Sequence, residues 1–228
     1  MIKKHLFYSI LFSPKKTFQY LLEHDPNRYL WVFCSIQGFV FLLELFQRFS
    51  LGLYMPTASI FLLAVILCPF VGYVLITFGA WIISGTGTWI KMRGKFANIR
   101  ASYAYSQAPL LGYIFIELVL LAIFGKRFFI HFPEGQEFSL HEIFTLYTAY
   151  VFQIIFIIWS VIILLKTLAE ARHTSIFKVI LNLIIAFIIY VLIVFLVTLP
   201  FVNRCSNFFD YPELTNNQQY KNWQESFF

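Results

Sequence analysis

Five stretches of this chain, at 29–47, 58–84, 108–124, 143–165 and 176–202, run nearly unbroken in Leu, Ile, Val, Phe and Trp. Nothing else in the sequence restricts the fold so strongly. A bilayer's hydrocarbon core is about 30 Å thick and needs about 20 residues of helix to cross, and each stretch reaches or approaches that length. A soluble amphipathic helix would interrupt them with a polar face, and a membrane barrel would show alternating segments of about 10 residues. Neither pattern occurs. The chain has a mean hydropathy of +0.74 and only 12% charged residues, which excludes an ordinary soluble domain. The expected fold is all-α, a polytopic transmembrane helical bundle of about five spans over 29–202. A cytoplasmic amphipathic segment, 1–28, precedes it, and a poorly ordered polar tail, 203–228, follows it on the outside.

One stretch breaks the apolar pattern. WIKMRGKFANIRASYAYSQAP, residues 89–109, carries Lys91, Arg93, Lys95 and Arg100 and no acidic residue. Short loops rich in Lys and Arg stay in the cytoplasm. With the N-terminus inside, residues 1–28 contribute five such cations, the basic stretch four, and the fourth connection three (Lys166, Arg172, Lys178). Those twelve of the 17 oppose five outside: Arg48, Lys126, Arg127, Arg204 and Lys221. The balance predicts N-terminus in and C-terminus out, in a multi-pass protein of a bacterial inner membrane. Lys3 and Lys4 precede a short apolar run, but no small-residue cleavage site follows, so no cleaved signal peptide is expected.

A topology signal requires no periodicity, yet residues 95–109 have one. Phe96, Ile99, Tyr103 and Leu110 recur at spacings of three, four and seven, while Lys95, Asn98 and Arg100 fall elsewhere. This predicts a short amphipathic helix on the membrane surface, its cations against anionic head groups. The N-terminal segment repeats the arrangement. Ser13 is placed to cap a helix with Pro14 in its first turn, with Phe18, Leu21 and Leu22 on one side and Lys15, Gln19 and Glu23 off it. Lys91, Arg93, Lys95, Phe96, Arg100 and Tyr103 are therefore the candidate contacts for lipid or a partner.

Polar residues within the spans are the other candidates. Glu117 sits mid-span, where an ionised carboxylate costs on the order of 2.5–3.5 kcal/mol; it needs a partner, a proton or a place facing the bundle. Gln37, Gln153 and Asn182 are the candidate partners, since amides within spans bond across helices. Such a group either joins helices or lines a proton or solute path. Glu44, four residues before Arg48, reads as an interfacial residue. Pro69, Gly72 and Gly79 invite a kink and close contact in the second span, and SGTGTW, 84–89, reads as the loose exit of that span.

No reaction chemistry is legible. The chain lacks HExxH, G-x-S-x-G and P-loop patterns, and His173 has no orienting acid nearby in sequence. His131, His141, Glu134, Glu137 and Glu142 in the outer loop 125–142 match no metal spacing. Three cysteines, Cys34, Cys68 and Cys205, form no zinc or disulfide framework. The net charge of +6 lies between spans rather than on one folded face, so no nucleic-acid partner is expected. No enzyme activity, cofactor or metal is expected.

Ser-Pro-Lys-Lys-Thr-Phe (13–18), GTGTWIKMRGKFANIRASYAYSQAPLL (85–111) and WSVIILLKTLAEARHTSI (159–176), with five spans and a cytoplasmic N-terminus, resemble the Yip family of membrane proteins, named for members that interact with Ypt/Rab GTPases. The resemblance covers residues 13 to about 200 and is closer to prokaryotic-type members, since no long soluble region precedes the first span and no Asp-Leu-x-Gly-Pro element is present. It implies membrane organisation or trafficking-like recruitment through lateral membrane-protein partners or a homo-oligomer, and it supplies no catalytic residues. The alternative expectation is a small transporter or channel subunit that uses Glu117.

Overall fold

The computed structural model describes Leu11, residues 14–130 and residues 139–209. The expected Ser13 cap, the His131, Glu134 and Glu137 group and the tail beyond 209 lie outside the described residues. Among the described residues there are seven α-helices: α1 Pro14–His24, α2 Leu30–Arg48, α3 Thr57–Trp89, α4 Phe96–Tyr105, α5 Leu110–Phe124, α6 Leu140–Ala171 and α7 Ile176–Phe209. Short 3-10 turns occupy Leu51–Leu53 and Gly125–Phe129, and no strand occurs among the described residues. The chain divides into two compact units, residues 1–184 and 185–228. In the second, residues 185–209 are the continuing helix of α7.

Helices α2, α3 and α6 and residues 176–196 of α7 are each long and apolar enough to cross a membrane. The predicted third span is different. Helix α5 has 15 residues, a rise of about 22 Å, short of the hydrocarbon thickness. It reaches spanning length only with α4, from which it departs at 41°. The bent pair nevertheless runs from one end of the bundle to the other. It begins after the 90–95 connection, and its far end packs Lys126 and Phe129 on Gly52, beside the connection between α2 and α3.

Bending a helix within a bilayer strands backbone groups that no water can satisfy. At this joint Gln107 N–H donates to Ala104 O at 3.1 Å, one residue short of the α-helical partner. The Tyr103 carbonyl thereby loses its helical donor and accepts instead from Ser106 Oγ at 2.7 Å and Gln107 Nε2 at 3.1 Å. Ser160 Oγ of α6 donates to Ser106 O at 2.7 Å. The polar residues at 106, 107 and 160 make the break tolerable.

Helix α3 shows how the core is built. Ile60, Ala64, Cys68, Gly72, Ile76 and Ala80 recur every fourth residue and are buried, whereas Leu62, Ile66, Phe70 and Val74 are exposed. Four of these six inward residues are small, because lipid offers no hydrophobic reason to bury Leu and close backbone approach must supply the attraction. Cys34 and Gly38 on α2 meet Cys68 and Gly72 on α3. A Cβ on Gly38 would strike Cys68 O, and one on Gly72 would strike Cys34 O. Pro69 has no N–H to give Val65 O, and Cys68 Sγ donates to that carbonyl at 3.2 Å.

The 13–24 pattern folds as its spacing predicts: Phe18 and Leu21 of α1 are buried and Lys15, Gln19 and Glu23 are exposed. Two other expectations need correction. Helix α4 forms, but it is packed into the bundle rather than laid on the surface. Ile99, Ala101, Ser102, Ala104 and Tyr105 are buried on more than one side, while Phe96 is exposed. Small residues decide this: Ala101 and Ala104 join the core with Phe18, Phe33 and Ile76, and Thr167 of α6 reaches Ser102 O at 3.4 Å. Nor is 84–89 a loose exit. Helix α3 stays regular through Trp89, because Gly87 lets the Arg172 guanidinium lie against it.

Helix α6 is longer than the span read from its apolar core. It starts at a capping box in which Ser139 and Glu142 satisfy each other's backbone N–H groups, and Glu142 pairs with Arg127 at 3.7 Å. At its other end Glu170 receives Gln19 Nε2 at 2.5 Å and Lys15 Nζ at 3.6 Å, tying α1 to the bundle.

Candidate functional site, a polar chamber between helices

Three helices place polar groups on facing sides. Gln37, Glu44 and Arg48 of α2 follow at seven and four residues, Tyr113 and Glu117 of α5 at four, and Gln153, Ser160 and Thr167 of α6 at seven. Each set therefore shares a helix face. At the centre Gln153 Nε2 donates to Glu117 Oε1 at 2.6 Å. Gln47 Nε2 makes a longer bond to Glu117 Oε2 at 3.4 Å, and Tyr113 OH donates to Glu44 Oε1 at 2.8 Å. Glu117 is only 5% exposed, so its carboxyl is held by the two glutamine amides rather than by water.

These groups line a cavity of about 510 Å³ that also touches Arg48, Tyr150, Phe124 and Phe128. A second cavity of about 360 Å³ adjoins it toward the bend, with Gln37, Ser106, Gln107 and Ser160 on its walls. Glu44 and Tyr113 line both. Their hydrogen bond is the partition between two polar spaces stacked along the bundle.

The structure sorts the candidate residues. Glu117 and Gln153 come together. Gln37 lies in the second cavity with Glu44. Asn182 belongs to neither: it sits at the opposite end, where its Nδ2 donates to Ile83 O at 3.1 Å and its Oδ1 accepts from Thr86 Oγ1 at 2.8 Å. Gln47, Tyr113 and Glu44 complete the chamber without having been singled out as such. Gln47 and Tyr113 follow Glu44 and precede Glu117 at helical spacing, and a polar stripe on facing helices was the available signal. Glu44 is more than an interfacial residue, and among the described residues the ion pairs lie elsewhere, at Lys15–Glu170 and Arg127–Glu142.

The basic stretch divides in two. Lys91, Arg93, Lys95 and Phe96 are exposed, next to a Trp89 that is 69% exposed. Arg100 and Tyr103 are half-buried. The Arg100 guanidinium donates to Tyr73 OH at 3.0 Å and Asn27 Oδ1 at 3.1 Å and lies over the Tyr73 ring, which itself stacks on Trp31. Arg172, counted by sequence only as a loop cation, is 5% exposed. It donates to Ile83 O of α3 at 2.7 Å and to Met92 O, just beyond that helix, at 3.5 Å. Burial pulls its guanidinium below its ordinary pKa.

Residues 8–198 match the family model for the Yip1 domain. The chain belongs to the Yip1-domain family. No curated protein and no solved structure matches it. The matched region takes in α1 to α6, the bent α4–α5 pair and both cavities, so the chamber lies wholly within the Yip1 domain of this integral membrane protein.

Proposed function

We propose that this Yip1-domain protein is a non-enzymatic membrane protein of prokaryotic type that organises the bilayer or recruits membrane partners at its cytoplasmic face. The N-terminus lies on that face in this reading. The observation that carries it is the exposed loop after α3, where Lys91, Arg93 and Lys95 stand between exposed Trp89 and Phe96. Cations bracketed by aromatic rings suit the head-group layer of an anionic membrane or a partner held beside it. Helix α1, fixed by Glu170, extends the same platform.

Photo-crosslinking in cells tests this. A probe at Trp89, Lys91 or Phe96 is expected to give discrete protein adducts that a probe at Phe144, near the other end of α6, does not. Lipid adducts alone at the first three sites would reduce the loop to a head-group anchor.

The paired cavities favour a second reading, a path for a small solute built around Glu117. Proteoliposomes carrying the Glu117→Gln variant separate the two readings: a solute path loses flux, and a docking protein keeps its adducts.

A further inference from the structure

The larger cavity has a composition that selects among ligands. Two carboxylates, Glu44 and Glu117, line it, with four aromatic rings, Tyr113, Tyr150, Phe124 and Phe128. Arg48 is the one cationic residue on its wall. An anion would meet two like charges for each opposite one. A bare metal ion would leave most of about 510 Å³ unfilled, and among the described residues no three His, Cys, Asp or Glu side chains gather to hold one. The volume lies within the range of about 300–1,000 Å³ typical of small-molecule sites.

Aromatic faces attract cations through the ring quadrupole, and do so more strongly where water is excluded. Carboxylates among such rings therefore favour an organic ammonium over a neutral molecule of the same shape. The two acids also differ in role. Glu117 accepts from Gln153 Nε2 and Gln47 Nε2, a fixed pair of donors that holds its carboxyl deep in the bundle. Glu44 holds only the Tyr113 hydroxyl and is itself exposed to the cavities. It is the carboxylate free to engage a cation, and it stands at the boundary with the second cavity.

We infer that the chamber between α2, α5 and α6 is a binding site for a small organic cation carrying an ammonium group, with Glu44 and Glu117 as its counter-charges and the Tyr113, Tyr150, Phe124 and Phe128 rings as its walls. The inference rests on the solute-path reading for its purpose but concerns binding alone.

The test uses the full chain, purified in nanodiscs of neutral lipid, with phenethylammonium and tetraethylammonium as probes and phenethyl alcohol as the neutral match. Titration calorimetry is expected to show saturable binding of at least one ammonium and none of the alcohol. Glu44→Gln keeps the hydrogen-bond acceptor for Tyr113 and is expected to weaken binding about ten- to hundredfold, as loss of a charged partner does. Glu117→Gln is expected to act in the same direction, and thermal unfolding of each variant shows whether the fold persists. Absence of ammonium binding, equal binding of the alcohol, or binding indifferent to both substitutions in folded protein overturns the inference. Flux measured in proteoliposomes stands apart: ammonium binding without flux supports the site while defeating the path, and flux of another solute without ammonium binding does the reverse.

Discussion

A buried carboxyl, Glu117, and a buried guanidinium, Arg172, are each held in this bundle by neutral partners. Replacing Glu117 by Ala would leave the Gln153 amide without its acceptor in an apolar interior, a loss of about 1–3 kcal/mol. Glu117→Gln keeps an acceptor there and is expected to cost less. Unfolding in mild detergent followed by increasing denaturant measures the difference, and equal losses would mean that the amides do not depend on residue 117. Arg172 presents the opposite case. Its guanidinium serves Ile83 O and Met92 O together, a fork that Lys cannot reproduce. Arg172→Lys is expected to lower stability nearly as much as Arg172→Ala, by about 2 kcal/mol for lost hydrogen bonds to a charged group; full rescue by Lys would sink that account. Only the first of these residues was legible beforehand. An acid within an apolar run advertises itself, because nothing in lipid tolerates it. An arginine beside a turn has the same sequence signature whether it meets solvent or caps a helix, and the glycine that admits it, Gly87, looked like slack.

At the scale of elements, the crossing of α2 and α3 depends on two glycines rather than on large side chains. Gly38 and Gly72 each face a backbone carbonyl across the crossing, and backbone cannot move aside as a side-chain tip does. Gly38→Ala and Gly72→Ala are each expected to destabilise the bundle by about 1–3 kcal/mol through overpacking. Gly85 faces open space, so Gly85→Ala is the control and is expected to be neutral or slightly stabilising, since Ala favours helix over Gly. Thermal melts of the three variants side by side decide the matter. The existence of the long helices was readable because their lipid-facing sides are continuously apolar. The burial of α4 was not, because its packing face consists of Ala101, Ser102 and Ala104, which carry little hydropathy. A moment drawn from Phe96, Ile99 and Tyr103 pointed to a surface helix. The extension of α6 to Leu140 was present in the sequence as Ser139-Leu140-His141-Glu142, a capping box that apolar length alone overlooks.

For the whole molecule, orientation and docking draw on the same cations, and they can be separated by counting. Lys91, Arg93 and Lys95 are exposed and make none of the ion pairs or side-chain hydrogen bonds found among the described residues, whereas Arg100 joins α4 to Tyr73 and Asn27 and should be left in place. Changing the first three to Gln reduces the total on the face proposed as cytoplasmic from twelve to nine, against five on the other, a bias that still favours the N-terminus inside. Orientation is therefore expected to survive. It can be read by adding a cysteine at Tyr54, which is 81% exposed, or at Glu23 on α1, in a chain whose Cys205 is replaced by Ser. An impermeant thiol reagent applied to intact cells is expected to label the first and spare the second, with or without the three substitutions. With the chain shown to lie the same way, loss of adducts from Phe96 in the triple variant would assign docking to the exposed cations, since the bundle, the bent pair and Arg100 are unchanged. If labelling reverses instead, those three charges set the topology, and the loop's role as a platform must be rebuilt on the opposite face of the membrane.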